Sequence, residues 1–139
     1  YDRLLSRITG VERKDLVKRL FRWIVCSRRP LQVAEICEAI AFTIDDDFWD
    51  TTNISTNLER IIRVCGNLVV LDDTADTLQL AHYTVQQYLI RGNNANSSHF
   101  QFSLQGADDL LGEVCVAYLN FSDFETQSPF TKTVELFQA

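Results

Sequence analysis

Methionine is absent from all 139 residues, including position 1, and we therefore expect the chain to be part of a longer protein. No stretch approaches the roughly 20 consecutive apolar residues of a membrane span. The first seven residues lack the apolar core of a secretion signal, so we expect a cytoplasmic protein. The phosphate-binding loop pattern GxxxxGK[ST] is missing too, and without it this stretch does not hold a nucleotide by itself in the usual way.

Cysteine and histidine are few and scattered. They are Cys26, Cys37, Cys65, Cys115, His82 and His99. No CxxC pair occurs, and a zinc site needs clustered ligands, so we predict no metal site. Cys65 invites interpretation as a thiol nucleophile, but it lies on an apolar helical stripe, where a buried structural thiol is favoured. No catalytic residue is predicted.

Charge is distributed unevenly along the chain. The first 29 residues hold nine Lys and Arg against three acids, while the remainder holds four basic and sixteen acidic residues. A basic first helix on an acidic body is typical of a docking surface within a larger assembly, although it also fits an ordinary solvated helix face.

Apolar spacing predicts the order of the elements. Helices are expected over 12–28, 33–42, 54–65, 84–91 and 107–119, and strands over 68–71 and 77–81. The acidic connection at 45–53 lacks the glycine and closing Glu of a calcium loop. We predict a mainly α fold with a small β-hairpin, namely a winged helix with a three-helix core plus wing, followed by additional C-terminal helices. The predicted divisions are 1–10 (end of a preceding helical domain), 11–92 (winged helix) and 93–139 (polar loop and helical extension).

The segment LAHYTVQQYL at 80–89 carries the most specific local signal. Thr84 and Gln87 have the spacing of a capping box, which predicts a helix beginning at Thr84. His82 then lies just ahead of the helix, where unpaired N–H groups and the positive end of the dipole favour an anion. His82 and the helix N-terminus together are able to bind a phosphate, while a histidine packed into a strand-to-helix turn is the simpler interpretation.

This segment resembles the FxHxSFQEF motif in the winged-helix domain of NACHT-type (STAND) signalling NTPases, the superfamily of the NOD-like receptors. YDRLL at 1–5, RPLQVAE at 29–35, CGNLVV at 65–70 and LGEVC at 111–115 are similar to the fungal branch, and the pieces occur in the right order. Gln87 replaces the motif's Glu and Val85 replaces a Phe. The same domain type is sometimes labelled a GPI inositol-deacylase winged helix, and no lipid deacylation is inferred from that label.

The resemblance implies a regulatory role. In that family the motif histidine contacts the β-phosphate of ADP, and the matching residue here is His82. The implied partners are the nucleotide-binding and helical domains of the same protein and a C-terminal ankyrin or WD repeat domain, in a parent that is able to oligomerise on activation. The resemblance implies ADP or ATP with Mg in the parent protein. From the residues themselves we expect no cofactor in this stretch and no membrane partner.

Nucleic-acid binding is the main alternative for a winged helix. The third helix would enter the major groove, and it offers Arg60 and Arg63. The wing, however, carries Asp72, Asp73 and Asp76, which oppose binding to phosphates. We therefore expect no nucleic acid as a partner, and a purely structural docking spacer remains the other alternative.

Overall fold

Helices account for most of the fold, and a small three-stranded sheet joins them. The structure is a computed structural model that describes residues 1–41, 58–91 and 99–119. In chain order, its elements are α1 (Asp2–Leu5), α2 (Val11–Cys26), β1 (Leu31–Gln32), α3 (Val33–Ile40), α4 (Leu58–Val64), β2 (Val69–Asp72), β3 (Thr77–Leu80), α5 (Tyr83–Ile90) and α6 (Leu104–Leu119).

Helix α2 lies at the centre of the hydrophobic core. Its apolar residues recur at helical spacing, and Val17, Leu20 and Phe21 are fully buried. The helix packs against α3, α4 and α6. Phe21 meets Phe100 edge to face, with 6.3 Å between ring centroids, an arrangement that suits aromatic quadrupoles. Among the described helices, none has the length and hydrophobicity needed to cross a membrane.

Strand β3 is the central strand of an antiparallel sheet with the order β1-β3-β2. Leu78 lies opposite Leu31 on one side and Leu71 on the other. The turn between β2 and β3 is held by Asp72, whose Oδ1 accepts hydrogen bonds from the Thr74 and Ala75 amides at 3.0 and 3.3 Å. Such side-chain-to-backbone bonds are the usual reason for Asp in tight turns.

The predicted fold class is confirmed: helices dominate, the hairpin is present, and a helix follows the winged-helix core. The two-stranded prediction was incomplete, since it omitted β1. That strand has only two residues, and Gln32 also begins α3 through a capping box with Glu35, so the sequence shows helix chemistry there instead of an alternating pattern.

Helix α6 begins three residues earlier than the predicted residue 107. The Ser103 side chain accepts a hydrogen bond from the Gly106 amide at 3.1 Å, which satisfies one of the first-turn donors. The acidic connection at 45–53, the first turn of the predicted helix at 54–65, and residues 93–98 and 120–139 of the predicted polar loop and helical extension lie outside the described ranges.

The N-terminal segment packs onto the same core as α2. Leu5 is 1% exposed and Ile8 is 5% exposed, and both contribute to the cluster that contains Phe21. The division of the chain at residue 10 stays a prediction, but Leu5 of α1 is buried together with side chains of the winged helix.

Replacing Leu5 with alanine should therefore destabilise the whole fold. Deleting a fully buried leucine side chain typically costs about 2–5 kcal/mol, because apolar burial is lost and a cavity remains. The neighbouring Leu4 is 37% exposed and is the matched control, for which Leu4→Ala should cost less than about 1 kcal/mol. Urea unfolding of both variants measures the difference, and equal costs would show that α1 contributes little to the core.

Candidate functional site at the start of α5

His82 lies in the short turn between β3 and α5. The Ala81 amide donates to the carbonyl of Leu68 at 2.8 Å, which extends the contact with β2 just past the end of β3. His82 itself has an extended backbone, with φ −155° and ψ 149°, and α5 begins at the next residue. The prediction that His82 follows a strand and precedes a helix is thus confirmed.

The helix cap differs from the predicted one. The imidazole Nδ1 of His82 accepts a hydrogen bond from the Thr84 amide at 3.2 Å, so His82 is the N-cap residue. Thr84 lies inside the first turn, and the predicted capping box of Thr84 and Gln87 is wrong. Physically, the chain is already directed into the helix by the end of the β3 pairing, and the imidazole takes the acceptor role that a hydroxyl or carboxylate usually has.

The cap determines the tautomer of the imidazole. Because Nδ1 accepts from the Thr84 amide, the proton of the neutral ring is on Nε2. The Thr84 hydroxyl lies 2.9 Å from the same Nδ1, so this oxygen is a second group on that side of the ring. His82 is exposed, and its Nε2–H remains a hydrogen-bond donor for an acceptor outside the turn.

The N-terminal segment contacts this helix end directly. The Tyr1 hydroxyl is hydrogen-bonded to the Thr84 hydroxyl, and the Tyr88 hydroxyl donates to the Asp2 carboxylate. The rings of Tyr1 and Tyr88 meet edge to face with centroids 5.5 Å apart. Two side chains of α5, one helical turn apart, are therefore held by the first two residues.

A cavity of about 280 Å³ adjoins His82. The end of α2, the segment that leads into β1, strand β3 and the first turn of α5 all line it, and its basic residues are Arg28, Arg29 and His82. Arg29 also forms a two-pronged ion pair with Glu35, at 2.8 and 3.2 Å. Two arginines and an imidazole donor thus line one concave surface, a set of groups that suits a phosphate, although Glu35 already balances the charge of Arg29.

Sequence reasoning missed the two arginines of this cavity. In the sequence, Arg28 and Arg29 are part of the basic first 29 residues, and Arg29 opens the RPLQVAE segment, but neither was predicted to lie near His82. Their contribution depends on the pairing of Leu31 with Leu78, which brings the end of α2 beside β3 and the turn that follows it. The available signal was the adjacent pair of arginines directly before a strand, but nothing in their spacing relates them to His82.

The four cysteine thiols lack the lowered pKa of an activated nucleophile. All four cysteines are unbonded, and burial raises the pKa of each. The largest effect is at Cys65, where burial raises the pKa to about 12. The thiolate is the reactive form, so the structural interpretation of Cys65 is supported.

The order of α2, β1, α3, α4, β2 and β3, with β1 on the far edge of the hairpin, defines a winged-helix domain. More specifically, the chain belongs to the family of the GPI inositol-deacylase winged helix domain, whose profile matches residues 4–103. Searches of curated proteins and of solved structures found no match. The matched range includes His82 and both arginines of the adjoining cavity.

The N-cap role of His82 predicts how the free energy of unfolding depends on the residue at position 82. His82→Ala removes the acceptor of the Thr84 amide and should lower the free energy of unfolding by about 1 kcal/mol. His82→Asn restores a cap acceptor, because Asn is among the best N-cap residues, and should recover most of that loss. Thermal or urea unfolding of the three proteins measures the order, and an alanine variant as stable as wild type would contradict the capping role.

The raised pKa of Cys65 predicts slow alkylation. At pH 8 its thiolate fraction should be about a thousandfold below that of a thiol with the ordinary pKa of 9.0, because the two pKa values differ by three units. Iodoacetamide should label the native protein much more slowly than the urea-unfolded one, with peptide mass spectrometry identifying each site. Rapid stoichiometric labelling of native Cys65 would instead indicate an activated thiol.

Proposed function

We propose that this domain is a non-catalytic regulatory module of a NACHT-type (STAND) signal-transduction ATPase. In this proposal the domain closes on the ADP-bound nucleotide-binding domain and holds the parent protein inactive. Membership of the GPI inositol-deacylase winged helix family supports the winged-helix part. The resemblance of residues 80–89 to the FxHxSFQEF motif of NACHT-type NTPases supports the signalling context. The partners are then the nucleotide-binding and helical domains of the same protein, together with a C-terminal repeat domain.

The state of His82 is the observation that carries the proposal. Its Nδ1 is occupied by the Thr84 amide, so Nε2–H is the donor available to a ligand. Arg28 and Arg29 line the cavity that adjoins this ring. A phosphate oxygen presented by a neighbouring domain would accept from Nε2–H, on a surface that Arg28 and the Glu35-paired Arg29 also line. In this proposal ADP is contacted only in the full-length protein, where the nucleotide-binding domain provides most of the contacts and binds the Mg ion.

A contact of this kind acts as a switch only if it distinguishes two states. The winged helix must bind the ADP-loaded core more tightly than the ATP-loaded core, since a ligand shifts an equilibrium only by its difference in affinity. Exchange of ADP for ATP then lets the domains separate. Loss of the His82 contact should favour the open, active state.

Catalysis by this domain is not part of the proposal. The sequence contains no GxSxG nucleophile elbow and no phosphate-binding loop. The family's name therefore gives no reason to assign inositol deacylation to these residues. A docking spacer without nucleotide contact is the simplest competing function, and it predicts that His82 serves only as a cap.

Duplex nucleic acid is the other competing ligand. The wing opposes it, because Asp73 and Asp76 are exposed at the turn and Asp72 is partly exposed beside them. Carboxylates there would meet the phosphate backbone that normally dominates affinity.

Nucleotide content of the natively purified parent protein tests the proposal. Wild type should carry ADP, and His82→Asn should keep the helix cap yet lose the Nε2–H donor. We expect ADP affinity to fall about tenfold to a hundredfold, as for one charge-assisted hydrogen bond, with a shift towards the active state. His82→Ala should show the same loss plus lower stability.

The matched control is His99→Asn, which changes the other histidine of the chain and leaves the cavity at His82 untouched. Chromatography of released nucleotide and an activity readout of the parent are compared across the four proteins. If His82→Asn retains ADP and remains inactive like wild type, the histidine is only a cap and the docking-spacer function stands.

A further inference from the structure

A second basic cavity lies on a different part of the domain. It has a volume of about 700 Å³ and lies between α1, the start of α2, helix α4 and the turn after α4. Its charged residues are Arg7, Arg13, Arg60, Arg63 and Glu59. We call it the four-arginine groove. It shares no lining residue with the cavity at His82.

The fold assembles this groove from distant parts of the chain. Arg7 lies between Leu5 and Ile8, whose burial fixes the N-terminal segment on the core. Arg60 and Arg63 are three residues apart on α4 and therefore share one face of that helix. The segment and the helix end approach closely at Gly66, where a side-chain Cβ would lie 3.9 Å from the Cβ of Leu4.

The charge of the groove is unbalanced. Within the described ranges, Arg7, Arg13 and Arg63 make no ion pair with any carboxylate, although Glu59 lines the same cavity. All four arginines are exposed residues. This concentration of positive charge occurs in a chain whose net charge is −6, so it is not a consequence of overall composition.

We propose that the four-arginine groove binds a small polyphosphate anion, meaning a molecule with two or more linked phosphate groups. Arginine presents a planar fork of donors that fits phosphate oxygens in a two-pronged contact. The volume falls within the roughly 300–1,000 Å³ of small-molecule sites. Concave positive surfaces also raise the local concentration of anions.

Charge density favours a polyphosphate over an acidic peptide. An extended peptide offers at most one carboxylate per residue, with residues about 3.3 Å apart and successive side chains on opposite faces. Linked phosphates put several negative charges into a much smaller volume, which matches four guanidinium groups around one cavity. Duplex DNA is disfavoured by the exposed aspartates of the wing, which would meet its backbone.

Isothermal titration calorimetry of the 139-residue chain with inorganic triphosphate tests this proposal, at about 0.15 M salt, where distant surface charges are screened. We expect saturable binding with one site. The double variant Arg13→Gln/Arg63→Gln should weaken binding about a hundredfold, or tenfold for each lost charge-assisted contact. Arg3→Gln/Arg91→Gln removes the same charge from exposed residues outside the groove and should change the affinity by no more than about twofold.

Thermal unfolding of both double variants confirms that each is folded before titration. Two further titrations use a glutamate-rich peptide of equal charge and a short DNA duplex. Absence of saturable triphosphate binding overturns the proposal, and so does an equal loss in the two double variants, since either result leaves only non-specific charge attraction. Tighter binding of the peptide or the duplex through Arg13 and Arg63 also overturns it, and would identify the groove as a macromolecular interface.

Discussion

The antiparallel pairing on both edges of β3 is the constraint on which the rest of the domain depends. Leu78 is buried between Leu31 and Leu71, so the central strand joins the end of α2 to the hairpin and delivers the chain to the start of α5. Without the short pairing to β1, the arginines that precede it would have no fixed relation to His82. A two-residue strand thereby determines the composition of a cavity whose other wall lies more than forty residues further along the chain.

Much of the fold could be predicted because its helices and its hairpin have strong local patterns. The apolar stripe of α2 and the two strands of the hairpin are examples, and their bounds differ from the prediction by no more than two residues. β1 was missed because a two-residue strand shows no period, and Gln32 also has a capping role. The cap of α5 was misassigned because hydroxyl residues are the commoner caps, whereas the path of the chain out of β3 places His82 at that position.

The residues of the candidate sites also divide into those that the sequence predicts and those that only the packing brings together. His82 was predictable from its place in a motif, since its neighbours in sequence are its neighbours in the turn. The partners of His82 at the cavity, and the meeting of Arg7 and Arg13 with Arg60 and Arg63, depend on tertiary packing. Counting charges indicated that the first 29 residues are basic, but charge counts contain no information about which side chains share a concave surface.

The contacts between the first two residues and α5 have a mechanical consequence. Thr84 and Tyr88 lie on one face of the helix, and they are held by Tyr1 and Asp2 respectively. We therefore expect a displacement of Tyr1 to act on Thr84, whose hydroxyl lies 2.9 Å from Nδ1 of His82. The orientation of the His82 side chain is in this way coupled to the position of the N-terminal segment through Tyr1 and Thr84.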